Sequence, residues 1–309
     1  MKAVRIHKFG GPEVLRSESI DRPLLKPGEV LVRIQGAGIN PVDAKIRAGS
    51  YPRVTQDQLP IVLGRDICGL IKEDSGVHTE WRSGMEVFAL LEWSLGGYAQ
   101  YVAVSGTLCA QKPRKLDAVA AASVPLAGLT AWQGLFDHGK LTQGQSVLVH
   151  GGAGGVGHLA IQFAKVRGAR VLATAASEDL DFVAQLGADV VIDYRKQRFE
   201  SVARDIDVVF DLVGSDTRER SWQVLKPGGV LVSTLGQPDE GRAAEHGVRA
   251  AGYVTAPSGA QLNEIRKLID EGRVTPTVSA SFSLDAAADA HRYLEGRHPR
   301  GKLAFAVEE

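Results

Sequence analysis

The glycine-rich stretch His150-Gly-Gly-Ala-Gly-Gly-Val-Gly157 says most about the fold, because an apolar run precedes it and a helical pattern follows it. The run, Ser146-Val-Leu-Val149, is typical of a buried parallel strand. Within the stretch, Gly152, Gly154 and Gly157 match the G-x-G-x-x-G spacing of dinucleotide-binding turns. The first glycine allows a sharp turn, the second lets the backbone approach a pyrophosphate, and the third lets the helix pack on the strand.

This loop is also a candidate anion site. Free N–H groups and the positive end of the dipole favour an anion at the start of the following helix. The same glycine spacing can serve a purely structural turn, but the strand–turn–helix context favours binding. We therefore predict that a dinucleotide pyrophosphate lies on Gly152, Ala153, Gly154, Gly155, Val156 and Gly157.

Strand and helix patterns alternate on both sides of the loop. Further apolar strands are expected at Arg170–Thr174, Val190–Ile192, Val208–Leu212 and Gly229–Ser233. This alternation is typical of a doubly wound parallel sheet with right-handed crossovers. The sequence thus predicts an α/β fold with a Rossmann domain over residues 116–256.

The first part of the chain has a different texture. Short alternating runs such as Glu29–Ile34 and Tyr98–Val104 are separated by Gly/Pro turns, which indicates an antiparallel, barrel-like domain. The segment after residue 256 ends in another apolar run, Lys302–Val307, and we expect it to return to the first domain. The predicted domains are therefore a discontinuous one, 1–115 with 257–309, and 116–256.

The identity of the dinucleotide depends on the end of the second Rossmann strand. NAD sites usually place an acidic residue there for the ribose 2′-OH. This chain reads Ala173-Thr-Ala-Ala-Ser177, which has none. Ser177 and the pair Tyr194-Arg195 offer two hydroxyls and a fixed positive charge to a 2′-phosphate. Although Glu178-Asp179 argues for NADH, the pattern favours NADPH.

Composition argues against several classes of protein. Lys plus Arg and Asp plus Glu are 36 each, and no basic stripe would bind a nucleic-acid backbone. No apolar run is long enough for a membrane span, and the first residues lack the apolar core of a signal peptide. The two cysteines, Cys68 and Cys109, are expected to be buried free thiols. We therefore expect a cytoplasmic protein without nucleic-acid or membrane partners.

Motifs along nearly the whole chain resemble the medium-chain dehydrogenase/reductase superfamily, and within it the zinc-free quinone oxidoreductase and alkenal/enone reductase branch. Besides the glycine loop, they are Met1–Val4, Gly36–Asp43, Leu63–Gly69, Gly97–Tyr101, Ala127–Ala131, Leu225–Gly229 and Gly301-Lys302. The resemblance implies a GroES-like β-barrel domain and a Rossmann domain, with the active site in the cleft between them.

The same resemblance bears on metal use. Zinc-dependent relatives carry a cysteine, a histidine and a cysteine where this chain has Asn40, Arg65 and Leu126. Two cysteines also cannot form the four-cysteine structural lobe. Zinc requires several thiolate, imidazole or carboxylate donors to converge, and we expect no metal.

Without a Lewis acid, the resemblance implies hydride transfer from NADPH to an electrophilic quinone or α,β-unsaturated carbonyl. The protein would supply orientation and a donor for the acceptor oxygen. Lys45, at a position where many quinone reductases have tyrosine, and Asn40 are the candidate catalytic residues. Tyr51 and Trp93 are candidates for the substrate pocket.

The resemblance also places residues near the nicotinamide half of the cofactor, at the carboxyl ends of the strands where open α/β sheets bind ligands. These are Thr130, Val213, Gly214, Leu235 and Gly236.

Two other functions stay open at this point. One is an NADPH-binding sensor or structural protein without turnover, and the other is an enoyl-thioester reductase. The intact Asn40–Lys45 segment favours an enzyme. The apolar segment Gly252-Tyr-Val254 is a candidate edge strand, so we also expect a homodimer.

Overall fold

A computed structural model describes residues 1–77 and 80–308, which divide into two units. Unit 1 comprises Met1–Leu126, Pro257–Gly272 and Pro276–Glu309, and unit 2 comprises Ala127–Ala256 and Arg273–Thr275. None of the helices in the described residues combines the length and apolar character that a membrane crossing needs.

The strands and helices of unit 1 occur in both its early and its late segments. Its strands are β1 (Lys2–Ile6), β2 (Arg16–Ser19), β3 (Glu29–Ile39), β4 (Ile61–Val62), β5 (Asp66–Asp74), β6 (Glu86–Leu90), β7 (Tyr101–Ser105), β8 (Cys109–Gln111), β15 (Val278–Ser283) and β16 (Lys302–Ala306). Its helices are α1 (Pro41–Arg47), α2 (Ala118–Ala122), α8 (Gly259–Asp270) and α9 (Ala287–Gly296).

Strand β3 organises unit 1. A seven-stranded sheet runs in the order β15-β16-β3-β5-β6-β8, and β7 also pairs with β3. The first half of β3 pairs with β7, and its second half, Gly36–Ile39, pairs with β16. A second sheet has the order β2-β1-β4. The end of β3 therefore lies beside the start of β16, where the polar residues described below meet.

Unit 2 holds the parallel sheet that the sequence predicts. Its strands are β9 (Ser146–Val149), β10 (Arg170–Ala175), β11 (Val190–Asp193), β12 (Ile206–Asp211), β13 (Leu225–Ser233) and β14 (Arg249–Gly252). Its helices are α3 (Pro125–Trp132, whose first two residues belong to unit 1), α4 (Gly157–Val166), α5 (Leu180–Gln185), α6 (Ser215–Ser221) and α7 (Glu240–Glu245).

The strand order of unit 2 is β11-β10-β9-β12-β13-β14, and every pair is parallel. This order places the switch point at β9, beside the predicted loop. All residues of β9 and β12 are buried, as expected for central strands covered on both faces. The prediction of a doubly wound sheet is confirmed.

The units differ from the predicted domains at two segments. Residues 116–126 lie in unit 1 because α2 packs closely on β3, where a Cβ on Gly36 would lie 2.5 Å from the carbonyl oxygen of Ala118. Residues 273–275 lie in unit 2, where Thr275 exchanges two hydrogen bonds with the side chain of Gln162 on α4. Neither contact has a local sequence signal.

Candidate functional site

The loop between β9 and α4 presents backbone donors. Its internal bonds run from Gly152 N to Thr174 O (2.9 Å) and from Gly154 N to Gly151 O (3.1 Å). Among the described residues, no acceptor bonds the N–H groups of Ala153, Gly155, Val156 and Gly157. Four free N–H groups at the N-terminus of a ten-residue helix form an arrangement that suits a pyrophosphate.

Glycine occupies positions 154 and 157 of this loop for different physical reasons. A Cβ on Gly157 would lie 2.1 Å from the carbonyl oxygen of Gly151, so only glycine lets α4 start this close to the turn. A Cβ on Gly154 would meet only that same oxygen, at 3.4 Å, which is an ordinary contact. The protein's own packing therefore requires glycine at 157, whereas position 154 is left open for an approaching ligand.

His150 anchors the start of the loop, a role that the sequence analysis missed. Its Nδ1 lies 3.2 Å from Thr174 Oγ1, which accepts from Gly151 N, and its Nε2 lies 3.0 Å from Ser221 Oγ. Because the Ser221 hydroxyl donates to Thr217 O, its oxygen accepts from Nε2–H. Burial lowers the pKa of His150 to about 4, so the imidazole is neutral at neutral pH.

Asp211, at the end of β12, holds the two loops that carry Val213, Gly214 and Leu235. Its Oδ1 accepts from Val213 N (3.1 Å) and Gly214 N (2.7 Å), and its Oδ2 accepts from the Ser233 hydroxyl (2.9 Å). Ser233 in turn accepts from Leu235 N (3.1 Å). One buried carboxylate thus fixes the turns after two neighbouring strands, and only its place at a strand end could have indicated this.

These turns expose an apolar edge next to the glycine loop. Val213 and Leu235 are 49% and 40% exposed. A Cβ on Gly151 would lie 3.5 Å from Val213, and one on Gly214 would lie 3.0 Å from Leu235. The structure therefore brings the predicted residues Val213, Gly214 and Leu235 together with the loop.

Gly236 and Thr130 have other surroundings. Gly236 follows Leu235 with a φ of 95°, which favours glycine. The Thr130 hydroxyl lies 2.7 Å from that of Thr255, and its carbonyl accepts from the Tyr253 hydroxyl (2.5 Å). Thr130 is thus tied to the segment that follows β14.

The predicted 2′-phosphate residues lie together after β10 and β11, but acids already engage two of them. The sequence predicted that the Ser177 hydroxyl donates to a phosphate. In the structure this hydroxyl donates to Asp193 instead, at 2.5 Å. Arg195 donates to Glu178 at 2.6 Å, and both side chains are about half exposed. Such an exposed pair is weak, so a phosphate can compete for the guanidinium.

The predicted Tyr194 is 56% exposed. Two charged residues of this surface, Lys196 and Asp193, were not predicted, and their charged groups lie 3.4 Å apart. The hydrogen bond from Ser177 lowers the pKa of Asp193, which keeps a negative charge here. The surface thus holds two cations, Arg195 and Lys196, and two carboxylates, Asp193 and Glu178, rather than cations alone.

In unit 1, Asn40 is fully engaged rather than free. It caps α1 in a capping box with Asp43, and its Nδ2 donates to Asp66 Oδ2 at 2.7 Å. Its Oδ1 accepts from Lys302, whose Nζ also donates to Ile39 O at 3.0 Å. Asn40 is 3% exposed, so the structure places it in a buried network.

Lys302 belongs to this buried network, although no role was predicted for it from the sequence. Burial lowers the pKa of its ammonium, while Asp66 and Asp43 oppose that change. Burial also raises the pKa of Asp43, to about 6, against its bonds from Asn40 N and the Tyr98 hydroxyl. The only sequence signal for Lys302 was the pair Gly301-Lys302 among the motifs that carry the family resemblance.

Lys45, in contrast, is an exposed residue of α1. Among the described residues, no carboxylate forms an ion pair with its ammonium. The structure therefore leaves the ammonium of Lys45 available to a ligand, on the helix that Asn40 caps.

The two predicted pocket aromatics lie together on an arginine. Tyr51 stacks on Trp93 with ring centroids 5.0 Å apart, and the Arg65 guanidinium lies 3.6 Å from the Trp93 centroid. Arg65 Nε and Nη2 both donate to Leu91 O. A cation on an aromatic face and in a bond to a carbonyl cannot act as a metal ligand.

The other two ligand positions of zinc-dependent relatives are no better suited to a metal. Asn40 is bonded to Asp66 and Lys302, and Leu126 contributes only its N–H, which donates to Asp66 Oδ1 at 2.5 Å. Throughout residues 1–77 and 80–308, no three His, Cys, Asp or Glu side chains are grouped so as to hold a metal ion.

Comparisons with known proteins agree with this geometry. The family described as alcohol dehydrogenase GroES-like domain matches residues 26–114, and the one described as zinc-binding dehydrogenase matches residues 186–304. The chain is 38% identical to an NADPH-dependent alkenal/one oxidoreductase of Arabidopsis thaliana, over 98% of the chain and 78% of that protein. It is 30% identical to human quinone oxidoreductase, over 98% and 97%.

Solved structures show the same likeness along the whole chain. The quinone oxidoreductase from Coxiella burnetii superposes with a TM-score of 0.93 at 36% identity, covering 100% of this chain and 99% of that one. The Escherichia coli quinone oxidoreductase, solved in complex with NADPH, superposes with a TM-score of 0.88 at 27% identity, covering 99% and 100%.

Proposed function

Because the chain belongs to the medium-chain dehydrogenase/reductase superfamily, in its zinc-free quinone and alkenal/one oxidoreductase branch, we propose that it is an NADPH-dependent reductase. Its acceptor is a quinone or an α,β-unsaturated carbonyl. The membership also confirms the GroES-like and Rossmann assignments made from the sequence. Coverage of nearly the whole chain by relatives with these activities supports the proposal.

The observation that carries the proposal is the set of four free N–H groups ahead of α4, next to an apolar edge. The N–H groups of Ala153, Gly155, Val156 and Gly157 suit the pyrophosphate. Val213 and Leu235, which Asp211 holds in place, offer an apolar surface to the nicotinamide ring. The residues present therefore fit a dinucleotide.

When bound, NADPH would supply a hydride to the electrophilic carbon of the acceptor; the displaced π electron pair moves through the conjugated system to the carbonyl oxygen, and a proton from water completes the reduction. The protein has to stabilise that negative charge and orient the acceptor. We assign charge stabilisation to the ammonium of Lys45, which has no ion-pair partner in the described residues. Asn40, whose side chain is fully engaged, is assigned to positioning α1.

The test is to mix the purified protein with NADPH and a panel of 2-alkenals, cyclic enones, naphthoquinones and crotonyl-CoA, and to follow absorbance at the NADPH band. We expect oxidation with enones or quinones above the rate without acceptor. Turnover of crotonyl-CoA alone would indicate an enoyl-thioester reductase. NADPH binding without oxidation across the panel would contradict the proposal and support a sensor.

We further propose that the protein is a cytoplasmic homodimer with only small-molecule ligands. Strand β14 is the last in the order of its sheet, and Val254, just beyond it, is 48% exposed, which supports an edge-to-edge dimer. The two buried free thiols suit a reducing compartment. Light scattering coupled to gel filtration tests the dimer, and Val254→Lys should yield monomers.

A further inference from the structure

Arg65 carries one guanidinium nitrogen, Nη1, whose N–H groups have no hydrogen-bond acceptor in the described residues. The residue is 3% exposed, its Nε and Nη2 donate to Leu91 O, and its Nη1 is buried without a hydrogen-bond partner. Buried polar groups almost always have a partner, so each exception requires an explanation. For a cation the requirement is stronger, because a buried charge is costly unless it is paired.

The nearby carboxylates do not meet this requirement. Asp66 is committed to Asn40 and Leu126, and Asp43 Oδ2 accepts from Asn40 N and the Tyr98 hydroxyl. Asp43 Oδ1 is itself buried without a partner, and it makes no ion pair with Arg65. Two complementary atoms, Arg65 Nη1 and Asp43 Oδ1, are therefore both buried without a hydrogen-bond partner.

The guanidinium is held rigidly in place. Its Cζ lies 3.6 Å from the centroid of Trp93, which stacks on Tyr51, and its Nε and Nη2 both donate to one carbonyl. A planar cation fixed by stacking loses little freedom when it binds one more acceptor. Tyr51 and Trp93, both partly exposed, add a flat aromatic surface beside it.

We propose that Arg65 Nη1 donates to the carbonyl oxygen of a planar conjugated acceptor, which packs along Trp93 and Tyr51. Arg65 is then a specificity-determining residue that selects acceptors with a hydrogen-bonding oxygen at the end of a conjugated system. This inference deepens the proposed function and rests on it for turnover, but binding of the acceptor does not require NADPH.

The first test measures binding without turnover. Saturation-transfer NMR with 2-methyl-1,4-naphthoquinone, in the absence of NADPH, should show transfer to the quinone in the unchanged protein. The signal should be lost in Arg65→Met and kept in Arg53→Gln. Arg53 is the matched control, because its exposed guanidinium lies 5.9 Å from the same Trp93 ring. Equal signals in Arg65→Met and the unchanged protein would overturn the proposal.

The second test measures turnover. In Arg65→Met, kcat/KM for both a quinone and 2-hexenal should fall by roughly 10²–10³, the usual cost of one well-placed donor. The Kd for NADPH should stay within about twofold of that of the unchanged protein, because the proposed NADPH site lies in unit 2 and Arg65 lies in unit 1. If kcat/KM in Arg65→Met also stayed within about twofold of that of the unchanged protein, Arg65 would only support the fold.

Arg65→Lys covers the case in which Arg65→Met does not fold. An ammonium can replace the bond to Leu91 O, but it cannot also present the fixed second donor of the guanidinium. We expect kcat/KM to fall at least tenfold at unchanged NADPH affinity, and unchanged kcat/KM would refute the inference. If the unchanged protein oxidises no NADPH but binds the quinone through Arg65, the proposed reductase function fails while the binding site stands.

Discussion

At the scale of single residues, the candidate site depends on buried polar groups that hold its turns in place. His150 is an example, because Thr174 and Ser221 fix its neutral tautomer at the start of the phosphate loop. Asp211 is a second example, because its one carboxylate holds the turns after two neighbouring strands. Both residues thus determine where the backbone of the proposed cofactor site lies.

Replacement of His150 by Gln should change how stability depends on pH. Since burial lowers the folded-state pKa from 6.5 to about 4, the unfolded state binds more protons between these values. Stability therefore falls as the pH is lowered from 6.5 to 4, by on the order of 3 kcal/mol from this residue. Urea unfolding of His150→Gln across this range should show a correspondingly smaller loss.

Other titrating groups do not affect this comparison. His291, whose pKa is also lowered to about 4, and Asp43, whose raised pKa acts with the opposite sign, are the same in both proteins. The control is His246→Gln, because His246 is exposed and should leave the slope unchanged. A slope for His150→Gln equal to that of the unchanged protein would show that His150 is not buried as a neutral imidazole.

Arg195 should decide the preference for the 2′-phosphate. In Arg195→Gln, KM for NADPH should rise about tenfold or more, since a charge-assisted bond contributes about 1.5–3 kcal/mol, while KM for NADH should stay unchanged. Steady-state assays with both cofactors measure this ratio. Arg242→Gln removes the same charge from the exposed surface of α7 and should leave the ratio as it was. If Arg195→Gln and Arg242→Gln have the same ratio of KM for NADPH to KM for NADH, Lys196 or Tyr194 is the phosphate ligand instead.

At the scale of elements, the turn from β9 to α4 separates the demands of folding from those of binding. Gly157 is required by the chain itself, whereas Gly154 is sterically free in the protein alone. The G-x-G-x-x-G pattern therefore combines a packing requirement at Gly157 with a ligand-binding requirement at Gly154.

Two alanine variants distinguish these requirements. Gly154→Ala should keep its unfolding free energy within about 0.5 kcal/mol, because its Cβ meets only an ordinary contact, but it should weaken NADPH binding at least tenfold. Gly157→Ala should lose both stability and binding, since its Cβ overlaps Gly151 O. Chemical unfolding and NADPH fluorescence titration measure the two quantities. Normal NADPH affinity in Gly154→Ala would contradict the close approach of the pyrophosphate.

The same elements show what the sequence could predict. The loop, the strand before it and the helix after it follow from local patterns, so six of the residues predicted to bind NADPH could be named from spacing alone. The bond from Lys302 to Asn40 joins residues 262 positions apart, and no periodicity reports such a pair. Likewise, Ser177 was interpreted as a phosphate donor because nothing local showed that Asp193 accepts its proton.

At the scale of the whole molecule, the chain has a fold that it shares with zinc-dependent relatives, but it has other residue types at their zinc-ligand positions. The family described as zinc-binding dehydrogenase matches residues 186–304, yet the three positions where zinc-dependent relatives carry ligands hold Asn40, Arg65 and Leu126. A cation, an amide engaged on both sides and a leucine replace the ligand set. The positive charge at these positions of unit 1 is carried by amino-acid side chains.

Chelators should consequently leave activity unchanged. Dialysis against EDTA, followed by assay with NADPH and the best acceptor, should return the initial rate, because no catalytic donor set for zinc exists at these positions. An authentic zinc alcohol dehydrogenase treated in parallel serves as the control. Loss of activity that added Zn²⁺ restores would contradict the assignment to the zinc-free branch.

The pairing of β16 with β3 has a consequence for synthesis of the protein. Lys302 bonds Ile39, 263 residues earlier, whereas all six strands of unit 2 lie between Ser146 and Gly252. A ribosome therefore delivers the complete parallel sheet before it delivers the strand that covers the second half of β3. Until then, the carboxyl group of Asp66 has no ammonium beside it, and a nascent chain carries an open strand edge that a chaperone can protect.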